Sequence, residues 1–205
     1  MAANPRLTSF PCPFSICSAN DGHSLNAAVI GLRTVKRRGI SPFVQRLIET
    51  GADGIFFVAE KASYRFMEEN LYREYGMPYD LAVLSASSGW CNVLHAPGKE
   101  IMFPVLRKYP VHVFSWNDRD SLPSVREAAM LMDACLMIGP GKREITERDR
   151  NYIEYSLYNI MEQTNGKKVI VSAESRVSGK EDEEIISFIR KAKKEIEEKM
   201  VKKNS

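Results

Sequence analysis

The sequence has no apolar segment long enough to cross a bilayer and no targeting signal at its start. The longest apolar runs, such as Ile55 to Ala59, are far shorter than the roughly 20 residues of a transmembrane helix. The first residues, Met-Ala-Ala-Asn-Pro-Arg, lack the charged and then apolar order of a secretory signal peptide. These absences predict a cytoplasmic protein without a membrane partner.

Cysteine pairs and phosphate-binding glycine loops are also missing. The four cysteines form no CxxC pair; they are Cys12, Cys17, Cys91 and Cys135. Cys91 and Cys135 stand inside apolar runs, where a cysteine is usually a small core residue, so we expect reduced thiols and no disulfide framework. Neither a GxGxxG nor a GxxxxGK(S/T) loop is present, and Gly139-Pro-Gly141 is interpreted as a turn.

A strong excess of one charge is absent too. The formal net charge is +3, and much of the basic excess lies between Lys191 and Lys203, where glutamates interrupt it. We therefore interpret residues 195–205 as a basic tail at the solvated end of a helix. No basic stripe is interleaved with aromatic residues elsewhere, so no nucleic-acid partner is expected.

From Ser41 onward the sequence repeats a helical stretch, a turn and a short apolar run. Runs typical of buried parallel strands lie at Asp53–Ala59, Cys91–His95, Val111–Trp116, Ala134–Ile138 and Lys168–Ser172. Helices are predicted between and after them, at Ser41–Gly51, Tyr64–Tyr75, Pro78–Ala86, Glu100–Lys108, Ser124–Met132, Thr146–Gln163 and from Glu181 onward. This alternation predicts an α/β fold with a parallel sheet and outer helices, but it does not separate a barrel from an open doubly wound sheet.

Capping signals set the expected helix ends. Ser41 and Pro42 supply an N-cap and a first helical proline, and Gly51 supplies a stop. Ser124-Val-Arg-Glu is a capping box, and Thr146-Glu-Arg-Asp is interpreted as the start of a long helix.

Several stretches together resemble the uroporphyrinogen decarboxylase family, which includes cobamide-dependent methyltransferases. They occur in the family's order and spacing over roughly 39–194, and they are Leu47–Phe57, Asn92–Gly98, Val113–Arg119 followed by Pro123-Ser124, Leu136–Gly139 and Val169–Ala173. The resemblance implies a partial (β/α)8 TIM barrel. A likeness of Thr8–Ile16 to an earlier family strand implies that the chain begins near the third strand of eight.

On that reading the chain holds about the last five to six βα units as one domain over 1–205, truncated at its N-terminus relative to the family. Residues 1–38 are expected to be irregular apart from a possible strand at 8–16. The part that would be missing carries, in the family, an arginine pair that binds substrate carboxylates and an aspartate that binds pyrrole NH groups.

The resemblance also implies that family site residues are replaced. Where the decarboxylases have a tyrosine, a serine and a histidine, this sequence has Ala19, Glu60 and Glu174. Uroporphyrinogen carries eight carboxylates, and a carboxylate placed against them costs roughly 1–4 kcal/mol per pair at effective dielectrics of about 80 to 20. We therefore do not expect this chain alone to decarboxylate that substrate, although any activity by resemblance would be that of a carboxy-lyase.

The methyltransferase branch implies a zinc site that this sequence does not complete. In that branch a His-x-Cys strand end and a later cysteine bind the zinc, and thiolates are preferred ligands for such a site. Here His95 is kept, but Pro97 replaces the first cysteine and Ala173-Glu-Ser175 replaces the second. We expect no metal and no cofactor, and methyl transfer is disfavoured as well.

Polar residues at the predicted strand ends are the candidate site, because ligands bind to barrels at the carboxyl ends of strands. The candidate catalytic residues, as proton carriers, are His95, Glu174 and Glu60, and the candidate binding residues for a small-molecule ligand are Trp116, Asn117, Asp118 and Arg119. The alternative is structural: Asp118-Arg119 is a loop ion pair, Trp116 fills the barrel and His95 is a satisfied core histidine. His23 and His112 are interpreted as packing or surface residues.

Three hypotheses on function follow. The chain is an enzyme subunit whose barrel is completed by a partner chain or by a second copy, since a barrel lacking two strands has unpaired edges. Alternatively, it is a degenerate family member that binds a small molecule without catalysing the family reaction. A third possibility is a fragment of a longer reading frame whose full-length product holds the activity.

Overall fold

The fold, obtained as a computed structural model, is described for residues 27–30, 40–172 and 180–203. It contains a six-stranded sheet in which neighbours along the chain are neighbours in space. All pairings are parallel. The strands are β1 (Ala27–Ile30), β2 (Gly54–Val58), β3 (Val93–Ala96), β4 (Val113–Trp116), β5 (Cys135–Ile138) and β6 (Val169–Val171).

Eight helices alternate with these strands in the described ranges. They are α1 (Ile40–Glu49), α2 (Glu69–Tyr75), α3 (Met77–Ser85), α4 (Phe103–Leu106), α5 (Val125–Leu131), α6 (Lys142–Glu147), α7 (Arg150–Thr164) and α8 (Lys180–Lys203). None of the described helices is both long enough and apolar enough to span a membrane.

Alternate residues of β2, β3, β4 and β5 belong to two different cores. Ile55, Phe57, Leu94 and Phe114 pack in one cluster with residues of the helices α1, α3, α4 and α5. The other residues of these strands form a separate cluster that contains no residue of a helix. Its members are Phe56, Cys91, Val93, Val113 and Met137, and Val58, Cys135 and Ile170 pack against them. The helices that pack on the sheet therefore cover one face, and the other face is that of a barrel interior.

The sequential strand order settles the alternative that periodicity left open. In a doubly wound sheet the strand order reverses at a switch point and helices cover both faces. Here the order runs from β1 to β6 without reversal. The fold is thus α/β, a partial TIM barrel of six strands in its described part.

The N-terminal prediction is corrected in one place. Residues 1–38 were expected to be irregular apart from 8–16, but Ala27–Ile30 forms β1 and pairs in register with Gly54–Phe57 of β2. The possible strand at 8–16 lies outside the described residues, as do Cys12, Cys17, Ala19 and His23. The basic tail from 195 continues α8 up to Lys203.

Three helices begin at residues other than those predicted from the sequence. Helix α1 begins at Ile40, so Ser41 and Pro42 lie inside its first turn, whereas Gly51 ends it with a φ of 97° as expected. The predicted helix from Tyr64 begins only at Glu69. The predicted cap at Thr146 is wrong: Arg148 adopts a left-handed conformation that ends α6, and the Asp149 side chain caps α7 instead.

The capping box at Ser124 is confirmed. Its side chain accepts a hydrogen bond from the Glu127 backbone N–H, and the Glu127 carboxylate accepts one from the Ser124 backbone N–H at 2.8 Å. This box fixes the first turn of α5 directly after the loop that follows β4. The loop carries several of the candidate site residues.

Candidate functional site

The register of the sheet stacks the interior residues in layers. Phe56, Val93, Val113 and Cys135 lie side by side across four strands and form a lower, apolar layer. The next layer toward the carboxyl ends consists of Val58, His95, Ser115, Met137 and Ile170. Within that layer only His95 and Ser115 are polar, and they are directly opposite each other on β3 and β4.

These two side chains form a hydrogen-bonded pair. His95 Nδ1 lies 3.1 Å from Ser115 Oγ, and Ser115 is only 5% exposed. The His95 ring also rests against the Phe56 ring of the layer below, with 5.8 Å between centroids. His95 itself is half-buried, so part of its surface remains accessible at the end of the strand.

Burial sets the charge of His95. Loss of water around the ring lowers its pKa from 6.5 to about 4, although a hydrogen bond to the Ser115 backbone acts in the opposite direction. The imidazole is therefore neutral at pH 7. The neutral ring adds no cation to the apolar layer, and it offers one donor nitrogen and one acceptor nitrogen for hydrogen bonds.

This pKa predicts a loss of stability in weak acid. Between the unfolded value near 6.5 and the folded value near 4, the unfolded chain binds the extra proton, so unfolding becomes more favourable as the pH falls through that window. From about pH 7.5 to about pH 5 we expect the free energy of unfolding to drop by about 1–2 kcal/mol through His95. Guanidinium titrations of the wild type and of His95→Asn at both pH values measure the difference. An equal pH dependence in both proteins would show that His95 titrates normally.

Of the two acidic catalytic candidates, only Glu60 belongs to the described part of the chain. Glu60 is half-buried in the turn that follows β2, next to Ala59, whose N–H donates to the His95 carbonyl at 2.9 Å. Its backbone therefore lies beside the end of β3, close to the His95 layer. Glu174 lies outside the described residues.

Trp116 does not share the barrel interior with His95. It is 4% exposed and belongs to the outer core, with its ring 5.2 Å from that of Phe114. Its Nε1–H donates to the Pro123 carbonyl at 3.0 Å. The structure thus places Trp116 beneath the loop after β4, where it supports the loop from the helical side of the sheet.

Asn117 and Asp118 shape that loop. The Asn117 carbonyl oxygen Oδ1 accepts from the Arg119 N–H at 3.2 Å, and its Nδ2 donates to Asp120 at 2.7 Å. Asp118 is half-buried; burial raises the pKa of its carboxyl group, and the charge of Arg119 partly offsets this. Both residues remain near the site, on the loop directly above β4.

Arg119 is tied to the helices rather than held as a free cation. Its Nη1 donates to Glu144 Oε1 at 2.6 Å, its Nη2 donates to Ser156, and its guanidinium lies 5.9 Å from the Tyr152 ring centroid. A Cβ on Gly141 would come within 2.5 Å of Arg119 Nη1, so alanine there would require the end of this side chain to shift. The expected Asp118–Arg119 ion pair is corrected accordingly: the ion-pair partner of Arg119 is Glu144.

Sequence reasoning missed Ser115. A signal for it was available, because Ser115 is the only polar residue within the apolar run Val113–Trp116 and its strand parity matches that of His95. His112 stands apart from this site: it is exposed before β4 and its Nδ1 accepts from the Asn92 N–H at 3.0 Å. It lines a cleft of about 450 Å³ at the opposite, amino end of the strands, together with Ser87 and Ser88.

The described side chains do not assemble a metal centre. Across residues 41–172 and 183–202, no three His, Cys, Asp or Glu side chains come together as ligands for an ion. Cys91 and Cys135 form no disulfide within the described residues, and both lie on the barrel interior toward the amino ends of the strands. The position where the methyltransferase pattern needs a thiolate is Pro97, which offers no ligand atom of that kind.

Comparison with known proteins supports the fold and leaves the chemistry open. No protein-family model and no curated protein matches the chain. The solved structure of a methyltransferase from Methanosarcina mazei is similar, with a TM-score of 0.64 at 15% sequence identity. The similarity covers 78% of this chain and 47% of the methyltransferase, so the chain spans about half of that protein's length. At this identity the likeness shows a shared fold alone.

Proposed function

We propose that this chain is a barrel of the uroporphyrinogen decarboxylase family that binds a small molecule at the carboxyl ends of its strands. The observation that carries the proposal is the His95–Ser115 pair in an otherwise apolar interior layer. Polar groups at this depth are costly unless they are satisfied, and a half-buried histidine at a strand end is well placed to meet a ligand. Glu60 and the loop over Asn117–Asp118 would form the rim.

The same residues argue against porphyrinogen decarboxylation by this chain alone. A polycarboxylate substrate needs positive charge in its site. His95 is neutral near pH 7, and Arg119 already pairs with Glu144 at 2.6 Å. If the chain has activity, a carboxy-lyase reaction is what the resemblance implies, whereas zinc-dependent methyl transfer lacks its thiolate ligands.

Binding is tested with phenol as a neutral probe, followed by NMR through the backbone amide resonances of β3 and β4, which wild type and variants share. We expect a saturable shift in the wild type and its loss in His95→Ala. His112→Ala is the matched control, because His112 is an exposed histidine at the opposite, amino end of the strands, and it should keep the binding. A wild-type His95 resonance that does not move in a saturable way would refute the binding site.

Decarboxylation is tested separately by incubating the purified chain with uroporphyrinogen. We expect no decarboxylated product by chromatography, at protein concentrations where a family enzyme would convert the substrate completely. Conversion by the isolated chain would refute this part of the proposal.

A second proposal concerns the partner. Among the described residues, β1 pairs with β2 alone and β6 with β5 alone, and proteins normally cover strand edges of this kind. A second copy or a complementing barrel subunit would cover them. Light scattering after size-exclusion chromatography should then give at least twice the chain mass of 23.2 kDa, and a stable monomer at micromolar concentration would count against it.

A cytoplasmic location belongs to the same set of proposals. Its support is that Cys91 and Cys135, both on the barrel interior, form no disulfide in the described part of the chain, as is usual in reducing compartments.

A further inference from the structure

The cleft at the amino ends of the strands lies at the opposite end of the barrel from the proposed ligand site. Its walls are the end of α3, the turn that follows this helix and the residues just before β4. Its volume is about 450 Å³, within the roughly 300–1,000 Å³ of small-molecule sites. No Asp, Glu, Lys or Arg side chain is among the described residues that line it.

A buried amide holds the turn after α3 in place. Asn92 is 3% exposed, and its Oδ1 accepts hydrogen bonds from the Ser87 hydroxyl at 2.7 Å and from the Ile55 N–H at 3.2 Å. The Ser87 hydroxyl in turn accepts from the Gly89 N–H at 3.3 Å. The next hydroxyl of the turn, that of Ser88, is exposed and makes no hydrogen bond within the described residues. Ser88 is therefore available to a ligand, whereas Ser87 is structural.

Hydrogen-bond geometry fixes the tautomer of His112. The backbone nitrogen of Asn92 lies 3.0 Å from His112 Nδ1, and a backbone N–H can only donate. Nδ1 is therefore the acceptor, and the ring hydrogen is on Nε2. The side chain is exposed, and its Nε2–H makes no hydrogen bond in the described part of the chain. His112 thus offers the cleft a donor, and its Nε2 has no lone pair with which to act as a base or to bind a metal.

The surroundings of these donors favour an uncharged ligand. Helix α3 ends at Ser85, which lines the cleft, and the carbonyl end of a helix carries partial negative charge. That charge disfavours an anion, and the described lining has no carboxylate to hold a cation. Leu84, Pro110 and Val111 complete the lining with apolar surface. A ligand here therefore meets hydroxyl and imidazole donors, helix carbonyls and apolar groups.

We propose that this cleft is a second binding site, for a small uncharged polyhydroxy compound such as a monosaccharide. Each hydroxyl of such a ligand both donates and accepts, so one hydroxyl accepts from His112 Nε2–H and another pairs with Ser88. The CH groups of the ligand rest on the apolar part of the lining. The cleft shares no residue with the site around His95 and Ser115, so this proposal does not depend on the proposed function.

The probes are D-glucose, D-ribose and myo-inositol, with inorganic phosphate as the charged comparison. Binding is followed by NMR through the backbone amides of Ser87, Gly89 and Asn92, which all variants share. We expect saturable shifts with at least one of the three polyhydroxy probes, and an affinity for phosphate that is at least about tenfold weaker. Ser88→Ala and His112→Ala each remove one neutral hydrogen bond to the ligand, so each should weaken binding about three- to tenfold. Ser88→Ala removes no hydrogen bond of the described fold, so its effect reports on the ligand.

Asp133→Ala is the matched control. Asp133 lies at the same end of the barrel, just before β5, but outside the cleft, and its replacement should leave the affinity unchanged. The absence of saturable shifts with all three probes would overturn the proposal, and so would phosphate that binds as tightly as the best of them. Equal affinity in the wild type, Ser88→Ala and His112→Ala would also contradict it, because the probe would then bind elsewhere. None of these results bears on the site at the carboxyl ends of the strands.

Discussion

Replacing Gly139 with alanine is expected to lower the free energy of unfolding by more than about 3 kcal/mol. Gly139 directly follows β5, and a Cβ at this position would lie 1.8 Å from the carbonyl oxygen of Ser172. The obstacle is backbone rather than a flexible side chain. The Ser172 N–H donates to the Ile138 carbonyl at 3.0 Å, so the two strand ends cannot separate without breaking the ladder.

Gly98→Ala is the control for this substitution. Gly98 has a φ of 83° and no neighbouring atom within 4 Å of an added Cβ, so alanine there meets backbone strain without a collision. We expect it to cost about 1 kcal/mol. Both free energies come from denaturant titrations at one pH. A Gly139→Ala variant no less stable than Gly98→Ala would contradict the close contact of β5 and β6.

Asp80→Ala is expected to lower the free energy of unfolding by about 2–4 kcal/mol. The Asp80 carboxylate accepts hydrogen bonds from two buried hydroxyls, Tyr72 and Tyr109, and the Tyr109 bond measures 3.0 Å. The two hydroxyls are also 3.0 Å apart. Removing the carboxylate leaves both phenols without their common acceptor in the core that joins α2, α3 and α4.

The pKa shifts of this network also indicate that removing Asp80 is destabilising. Burial raises the pKa of Asp80, while the hydrogen bonds from Tyr72 and Tyr109 oppose that shift. Burial and the nearby Asp80 charge raise the pKa of both tyrosines. The hydroxyls therefore stay protonated and act as donors at neutral pH, which makes their loss of an acceptor costly.

Asp133→Ala is the matched control for Asp80→Ala. The Asp133 side chain is 99% exposed and pairs with Lys168 at the surface, so its removal should cost less than about 1 kcal/mol. Differential scanning calorimetry and denaturant titration measure both variants. If Asp80→Ala were as mild as Asp133→Ala, the buried network would not be a stabilising element.

The sequence predicted β2 to β6 because each is a short apolar run between helical stretches. It did not predict β1, whose residues Ala27-Ala-Val-Ile30 form a strand through their pairing with β2 rather than through strong strand propensity. Strand periodicity could not distinguish a barrel from an open sheet either, since both bury strands on two faces. Only the spatial order of the strands distinguishes them.

The predicted start of the long helix was wrong, because two residues that can cap a helix lie close together there. Thr146 and Asp149 both precede a helical stretch, and the sequence pattern favoured Thr146. In the structure the left-handed Arg148 separates α6 from α7, and Asp149 Oδ1 accepts from the Tyr152 N–H at 3.0 Å. Local capping preference could not predict the break, because the contacts of α6 with the loop of Arg119 lie far away in sequence.

Part of the candidate site could be predicted from the sequence. His95 was identified through its position at a strand end, and strand parity would have added Ser115. Strand parity also places Trp116 and His95 on opposite faces of the sheet. The paired residues Ala96 and Trp116 face the helices, whereas His95 and Ser115 face the barrel interior. The fixation of Arg119 by Glu144 required the tertiary structure, since the two residues are 25 positions apart.

An NMR titration of the His95 ring measures the central claim most directly, namely that this side chain is a neutral group inside the barrel. If β3 and β4 pair as described, its ring resonances should stay constant from about pH 7.5 to about pH 5.5 and titrate near pH 4. A midpoint close to 6.5, the value of a histidine in water, would place the ring outside the barrel interior and remove the basis for the proposed site.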